Sequence, residues 1–400
     1  MKKLAASLLI STLLVAPAFA EDNNTAALQQ QINDLQRQFN ELESSKKTEK
    51  RDPAVRIGGY GELDYIFKEA NGNGKEGNTF DPHRFVLYVN SDLSESITLN
   101  TELEWEHGGD SGKGSEIAVE QFFLDFRHQR PLNFKAGLML VPLGGVNINH
   151  EPTNFNSTER PELDKFLIPS TWREMGAGIY GALGNKVDYQ LLVMNGLDGS
   201  GFSAAEGIRK GRQKVEVDNN DSKAIVARLE VRPVTNLYTN FSAYRGDSAA
   251  AGKPGAVTTI AAFDGMYSLG KFDLSGEYVY IDQQHPERLN VATIGDRMSG
   301  YWVEGAYHVL PESLKKGKLV DADVVAFARY SAFDTQQGTL VDPSKASGLY
   351  DRNYTTVGVV FKPVTTVSIK ADYQIYDDHR NAAEKALDND KFQVTLGFVF

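Results

Sequence analysis

From Val55 to Phe400 the chain alternates apolar and polar residues with a period of two, segment after segment. Ile97, Leu99, Thr101, Leu103 and Trp105 fall on one face of an extended strand, and Ser96, Thr98, Asn100, Glu102, Glu104 and Glu106 on the other. The pattern returns in Val367, Ile369, Ala371 and Tyr373 against Ser368, Lys370, Asp372 and Gln374. It returns again in Phe392, Val394, Leu396, Phe398 and Phe400 against Lys391, Gln393, Thr395 and Gly397. About sixteen such segments can be counted, each near the 9 to 11 residues a tilted strand needs to cross a bilayer. They fall at 55–67, 84–90, 96–106, 117–127, 133–140, 173–181, 187–195, 223–232, 237–245, 257–269, 272–281, 299–309, 322–333, 354–362, 367–376 and 391–400.

The connections also alternate. Residues 233–236 and 363–366 are tight turns, whereas 196–222, 282–298 and 334–353 are long and polar. Short turns on one side and long loops on the other fit an even-stranded transmembrane barrel with both ends of the barrel domain on the short-turn side. A soluble β-sandwich also alternates, because each of its sheets buries one face. Three features favour the barrel. The apolar faces end in aromatic residues (Phe67, Trp105, Tyr189, Tyr280, Tyr301, Tyr307, Phe361), as interfacial girdles do. No second apolar set is evident for a facing sheet, while closure satisfies every edge hydrogen bond within lipid. The chain also finishes on an aromatic residue, Phe400. The expected fold is all-β: a transmembrane antiparallel barrel of about 16 strands over 53–400.

Ahead of the barrel, Lys2 and Lys3 precede an apolar run over 4–15 and then Ala18-Phe19-Ala20, the pattern of a cleaved signal peptide over 1–20. The run is too short to span a bilayer as a helix, and no later stretch approaches the roughly 20 apolar residues required. Leu28, Ile32, Leu35, Phe39 and Leu42 then recur at spacings of four and three. Residues 21–52 are read as a short periplasmic coiled coil with a charged linker, helical mainly when chains are already gathered in an oligomer. The absence of cysteine excludes a disulfide framework and a Cys-based metal site. A net charge of -11 argues against a nucleic-acid partner.

The connection over 141–172 is the longest, and a connection of this length in a compact fold is normally functional. Within it and just beyond lie His150-Glu151-Pro152-Thr153-Asn154-Phe155, Glu159-Arg160-Pro161 and Ile168-Pro169-Ser170-Thr171-Trp172-Arg173-Glu174, followed by Gly176 and Gly178. This stretch resembles the phosphate-selective porin O/P superfamily, and its trimeric members with an N-terminal coiled coil are most similar; the terminal Phe400 is likewise similar to their aromatic end. The resemblance covers the layout of the whole mature chain but is motif-specific only over about 150–181. It implies that the loop folds inward and narrows the pore, that the chain forms a homotrimer in the outer membrane of a Gram-negative bacterium, and that small solutes pass through it. Gly144, Gly145, Pro152, Pro161 and Pro169 suit a rigid, sharply bent insertion.

Selectivity in such a channel comes from pore radius and lining charge. The expected constriction residues are Arg160, Lys165 and Arg173 beside Glu159, Glu162 and Asp164. Alternation assigns Arg127, Lys135, Arg228, Arg232, Arg329 and Lys370 to the lumen as cations, with Glu62, Asp64, Glu102, Glu104, Asp188, Glu277 and Glu304 as anions. Interleaved signs favour polar, dipolar solutes and argue against phosphate selectivity, with a preference for organic anions left open. An outer-membrane barrel enzyme and a non-conducting adhesive or structural barrel are the rival classes. The seven His are scattered, and no H-E-x-x-H, G-x-S-x-G or P-loop occurs, so no catalysis, cofactor or metal is expected. Gly72-Asn73-Gly74-Lys75 and the glycines at 108, 109 and 112 read as external turns, and weak Ca²⁺ binding by Asp218, Asn219, Asn220 and Asp221 is left open.

Overall fold

In the computed structural model, which describes residues 54–68, 78–109, 115–213, 223–249, 255–289, 291–380 and 390–400, period-two alternation becomes a closed barrel of sixteen antiparallel strands. The signal peptide, the coiled coil with its linker, the Gly72–Lys75 turn and the 218–221 cluster lie outside the described residues. In chain order the strands are β1 (Ala54–Lys68), β2 (Thr79–Asp92), β3 (Ile97–Glu106), β4 (Glu116–Gln129), β5 (Leu132–Leu140) and β6 (Arg173–Leu183). There follow β7 (Val187–Asn195), β8 (Lys223–Val234), β9 (Leu237–Asp247), β10 (Val257–Leu269) and β11 (Phe272–Gln283). The last five are β12 (Gly295–His308), β13 (Asp323–Leu340), β14 (Asp351–Val364), β15 (Val367–Asp378) and β16 (Lys391–Val399). Each strand pairs with its sequence neighbour, and β1 closes on β16 from Tyr60↔Val399 to Lys68↔Lys391. Phe400 extends this seam by exchanging two backbone hydrogen bonds with Gly59, at 3.0 and 2.9 Å.

Outward side chains are apolar: Leu63, Phe85, Phe122, Phe134, Leu191, Phe241, Tyr278, Tyr301, Val303, Val357 and Ile369 are all exposed. Their inward neighbours along the same strands are polar, and Glu62, Arg84, Glu102, Glu104, Arg228, Glu277, Glu304, Arg329 and Lys370 are shielded within the lumen. This is a soluble protein turned inside out, the arrangement a strand needs when hydrocarbon surrounds it and water fills its interior. The tight turns after β6 and β10 use Gly184 (φ 67°) and Gly270 (φ 62°), where a left-handed backbone costs glycine nothing.

Three expectations are corrected. Several strands are longer than alternation indicates: β2 begins at Thr79 rather than 84, and β13 runs 18 residues to Leu340. The connection between β12 and β13, on the short-turn side, spans 309–322 and carries two 3₁₀ turns. The loop after β7 is not simply polar and external, because its described part buries Leu197, Phe202 and Ile208. A bulge in β4 also changes the local facing. Gln121 pairs with Glu102 and Val119 with Leu103, leaving Glu120 unpaired between them, so Glu120 and Gln121 both turn toward the lumen.

Candidate functional site

The 141–172 connection, here L3, runs inside the barrel and is fastened to the wall from β8 round to β2. It leaves β5 along the far wall: Gly144 N donates to Ser242 Oγ of β9 at 3.0 Å, and the Arg228 guanidinium of β8 donates to Gly144 O at 2.8 Å. The glycine pair is required by this close approach. A Cβ on Gly144 (φ 69°) would stand 2.5 Å from Glu277 Oε1, and one on Gly145 2.6 Å from Asp264 Oδ1. Further on, Lys362 of β14 donates to Thr153 O at 3.2 Å, and Asn156 Nδ2 to Glu304 Oε1 of β12 at 2.8 Å. Ser157 takes Lys370 Nζ of β15 on its carbonyl at 2.9 Å and Arg329 of β13 on its hydroxyl, while Thr158 N donates to Asp372 Oδ2 at 2.5 Å. Glu159 pairs with Lys391 of β16, and Tyr88 of β2 donates to Glu151 at 3.4 Å. A single helical turn, α1 (Leu163–Phe166), then brings the loop back, with Trp302 Nε1 donating to Asp164 Oδ2 at 3.1 Å.

Four of the six expected constriction residues meet at one place. Glu159, Arg160, Glu162 and Lys165 line a cavity of about 210 Å³, facing Glu62, Asp64, His83 and Arg84 across the gap. Arg209 of the loop after β7 completes the basic side. Arg84 is bound to Glu62 at 2.7 Å, so part of the wall's charge is neutralised in place. Burial, with Arg84 adjacent, pulls the Arg160 guanidinium down to about 10, and it keeps its charge at neutral pH. Burial works against the Glu159 carboxylate, but Lys391 and Lys165 outweigh it and hold that group down at about 2. Charges of both signs are therefore fixed along this cavity.

Asp164 and Arg173 lie elsewhere. Asp164 is fully buried on the opposite side of α1, where burial, reinforced by Asp264, pushes its carboxyl up to about 7. Arg173, also buried, reaches Glu116 at 3.7 Å and Glu120 at 3.9 Å. Of the expected wall cations, Arg228, Arg329 and Lys370 are consumed in holding L3. Lys135 and Arg127 sit lower on the wall, bonded to Gln190 at 2.7 Å and Thr98 at 2.8 Å. Arg84 and Arg209 escaped the sequence reading. Arg84 has the inward parity of β2, opposite to the exposed Phe85 beside it, and Arg209 offers no periodic signal.

Above L3 the lumen is apolar rather than charged. Leu163, Phe166, Leu167, Ile168 and Trp172 of L3 pack with Leu197, Phe202 and Ile208 of the next long loop and with Met194, Tyr244, Phe333 and Tyr354 of the wall. The two loops are tied by Ile208 N donating to Phe166 O at 3.0 Å. Arg352 lies over the Phe166 ring at 4.4 Å and over Phe333 at 4.7 Å, so its buried charge meets two neighbouring aromatic rings.

The chain is similar, at 27% identity over 363 residues, to an uncharacterised protein of Aquifex aeolicus, covering 86% of this chain and 80% of that one. No protein-family model matches it. Among solved structures it is similar to the outer membrane channel DcaP of Acinetobacter baumannii, with a TM-score of 0.58 and 11% identity over 88% of this chain and 99% of that one. An anion-selective porin from Comamonas acidovorans aligns with a TM-score of 0.56 and 13% identity over 87% and 100% of the two chains. OmpF of Salmonella typhi aligns with a TM-score of 0.57 and 8% identity over 86% and 97%. At such identities the likeness defines the fold: the chain has the sixteen-stranded porin barrel.

Proposed function

We propose that this protein is an outer-membrane porin through which small polar solutes diffuse passively past the charged cavity beside L3. The observation that carries the reading is the placement of Glu159, Arg160, Glu162 and Lys165 opposite Glu62, Asp64 and Arg84, inside a barrel whose outer surface is apolar. Opposed charges across a narrow passage set up a transverse field that orders water and suits dipolar or zwitterionic solutes, with small organic anions drawn by Arg84, Arg160, Lys165 and Arg209. L3 is then the constriction loop. Membership of the phosphate-selective porin O/P superfamily, a signal peptide over 1–20, a periplasmic coiled coil over 21–52 and a homotrimer belong to the same proposal. They rest on the sequence patterns and the resemblance described above. The reading excludes catalysis as the barrel's role.

The test is single-channel recording of the refolded protein in a planar bilayer under a salt gradient. Stepwise conductance in threes, blocked by added dicarboxylate, is expected; a silent bilayer refutes the channel. One observation favours a non-conducting structural barrel instead, namely the apolar packing of L3 against the loop after β7. Absence of conductance would select that reading.

A further inference from the structure

His150 of L3, Glu102 of β3 and Glu120 of β4 converge on one point behind the loop, with their nearest ligand atoms all within 4.8 Å of one another. All three are buried, at 3%, 2% and 0% exposure. Among the described residues, none hydrogen-bonds His150 Nε2, Glu102 Oε1 or either oxygen of Glu120. Orphaned buried polar atoms are costly singly, and three of them, His150 Nε2, Glu102 Oε1 and Glu120 Oε2, are aimed at one another, which suits a shared partner.

His150 Nδ1 lies 3.0 Å from Asn147 O. A carbonyl only accepts, so Nδ1 carries the proton, and the ring presents Nε2 to the two carboxylates. Nε2 stands 3.6 Å from Glu120 Oε2 and 3.8 Å from Glu102 Oε1, too far for hydrogen bonds. Those spacings are within a few tenths of an ångström of the ligand separations, about 3.3–3.5 Å, that tetrahedral zinc bonds of 2.0–2.2 Å impose. A ring N–H given to a backbone carbonyl, fixing the tautomer of the other nitrogen, is how metal-binding histidines are held. The β4 bulge divides the labour: Gln121 takes the remaining oxygen of Glu102 at 2.5 Å, and Glu120 is turned free.

The Arg173 guanidinium approaches the cluster from one side, 3.7 Å from Glu116 and 3.9 Å from Glu120, and Arg160 donates to His150 O at 3.3 Å. We infer that Glu102, Glu120 and His150 form a site for a divalent transition-metal ion of the zinc class, with one position open to water, which rivets L3 to β3 and β4. The inference rests on L3 lying against this wall and not on conduction, so a protein that binds zinc and is silent in a bilayer keeps the site and loses the porin reading.

The test uses the full chain folded in detergent, stripped with a chelator and titrated with Zn²⁺ against a chromophoric competitor. One Zn²⁺ per chain is expected, with affinity lowered at least about 100-fold in H150Q and in E120Q, since each removes one of three ligands. H107Q, which breaks the separate Asp81–His83–His107 group at its exposed member, leaves this affinity unchanged. X-ray absorption at the zinc edge of the wild type gives an oxygen and nitrogen shell at about 2.0–2.1 Å with an imidazole signature, and needs no variant to fold. Absence of saturable binding, binding that H150Q and E120Q both retain, or binding lost only in H107Q overturns the inference.

Discussion

Replacing Lys370 by Met keeps an unbranched side chain of similar length and removes the ammonium that ties the middle of L3 to β15. Lys370 is fully buried, donates to Ser157 O at 2.9 Å and stands 3.9 Å from the Phe155 ring centroid. The charged hydrogen bond contributes about 1.5–3 kcal/mol and the desolvated cation–π contact about 2 kcal/mol. Against these, Met no longer bears the cost of burying a cation, which offsets roughly half of that sum. The net loss of about 2 kcal/mol falls on the loop rather than the barrel, because every ladder hydrogen bond of β15 survives, and it corresponds to about a 30-fold rise in local opening. Amide exchange by mass spectrometry reads this directly. Peptides covering 153–160, including the Thr158 amide that donates to Asp372, should exchange about 30-fold faster, with the strand peptides unchanged. A change under about 3-fold in the loop, or an equal change throughout the barrel, refutes the tether.

Three further outcomes follow from the same geometry. R160Q with K165Q removes two cations from the cavity beside L3, so the reversal potential in a salt gradient should shift toward cations; a shift toward anions refutes the cavity as the selectivity element. The raised Asp164 carboxyl, about 7 against the ordinary 3.8, means the folded loop retains a proton the unfolded loop releases. Its stabilisation is complete below about pH 4 and is lost as pH rises through about 7, so cleavage at the exposed Lys165 should become easier across that window in wild type and not in D164N; the opposite slope refutes it. In G397V the new Cβ would lie 2.7 Å from Pro152 Cβ, and overpacking of this kind costs about 1–3 kcal/mol; an unaltered melting temperature and conductance would refute the close packing of L3 on β16.

The strand ladder was legible because hydrocarbon and water impose opposite demands on successive residues, and that demand is written locally. All sixteen segments were located, and the inward parity of Glu62, Arg228, Glu277, Glu304, Arg329 and Lys370 follows from it. The site was legible only in part. Alternation says that Lys370 and Arg329 face inward but not that the backbone of Ser157 waits for them, since that depends on contacts more than 170 residues away in sequence. Arg173 and Asp164 share the composition of the cavity yet are turned from it by the start of β6 and by the single turn of α1. The bulge at Glu120 did leave a trace. Val119 and Phe122 both point outward with two polar residues between them, a break in the period-two count that marks the bulge.

A wall made of paired strands is a hoop, stiff along its circumference and soft against being squashed into an ellipse. L3 spans that hoop from Gly144 at β8 and β9 to Ser157 and Glu159 at β13, β15 and β16, and so serves as a spoke. Lys165 is exposed and carries no wall bond among those described, so altering its charge leaves the rim as tight as before. Shortening or transplanting the loop would instead change the outline of the opening itself. On the porin reading proposed above, aperture and gatekeeper are one mechanical object, and new specificities are reachable by exchanging side chains at its free positions rather than by swapping the loop.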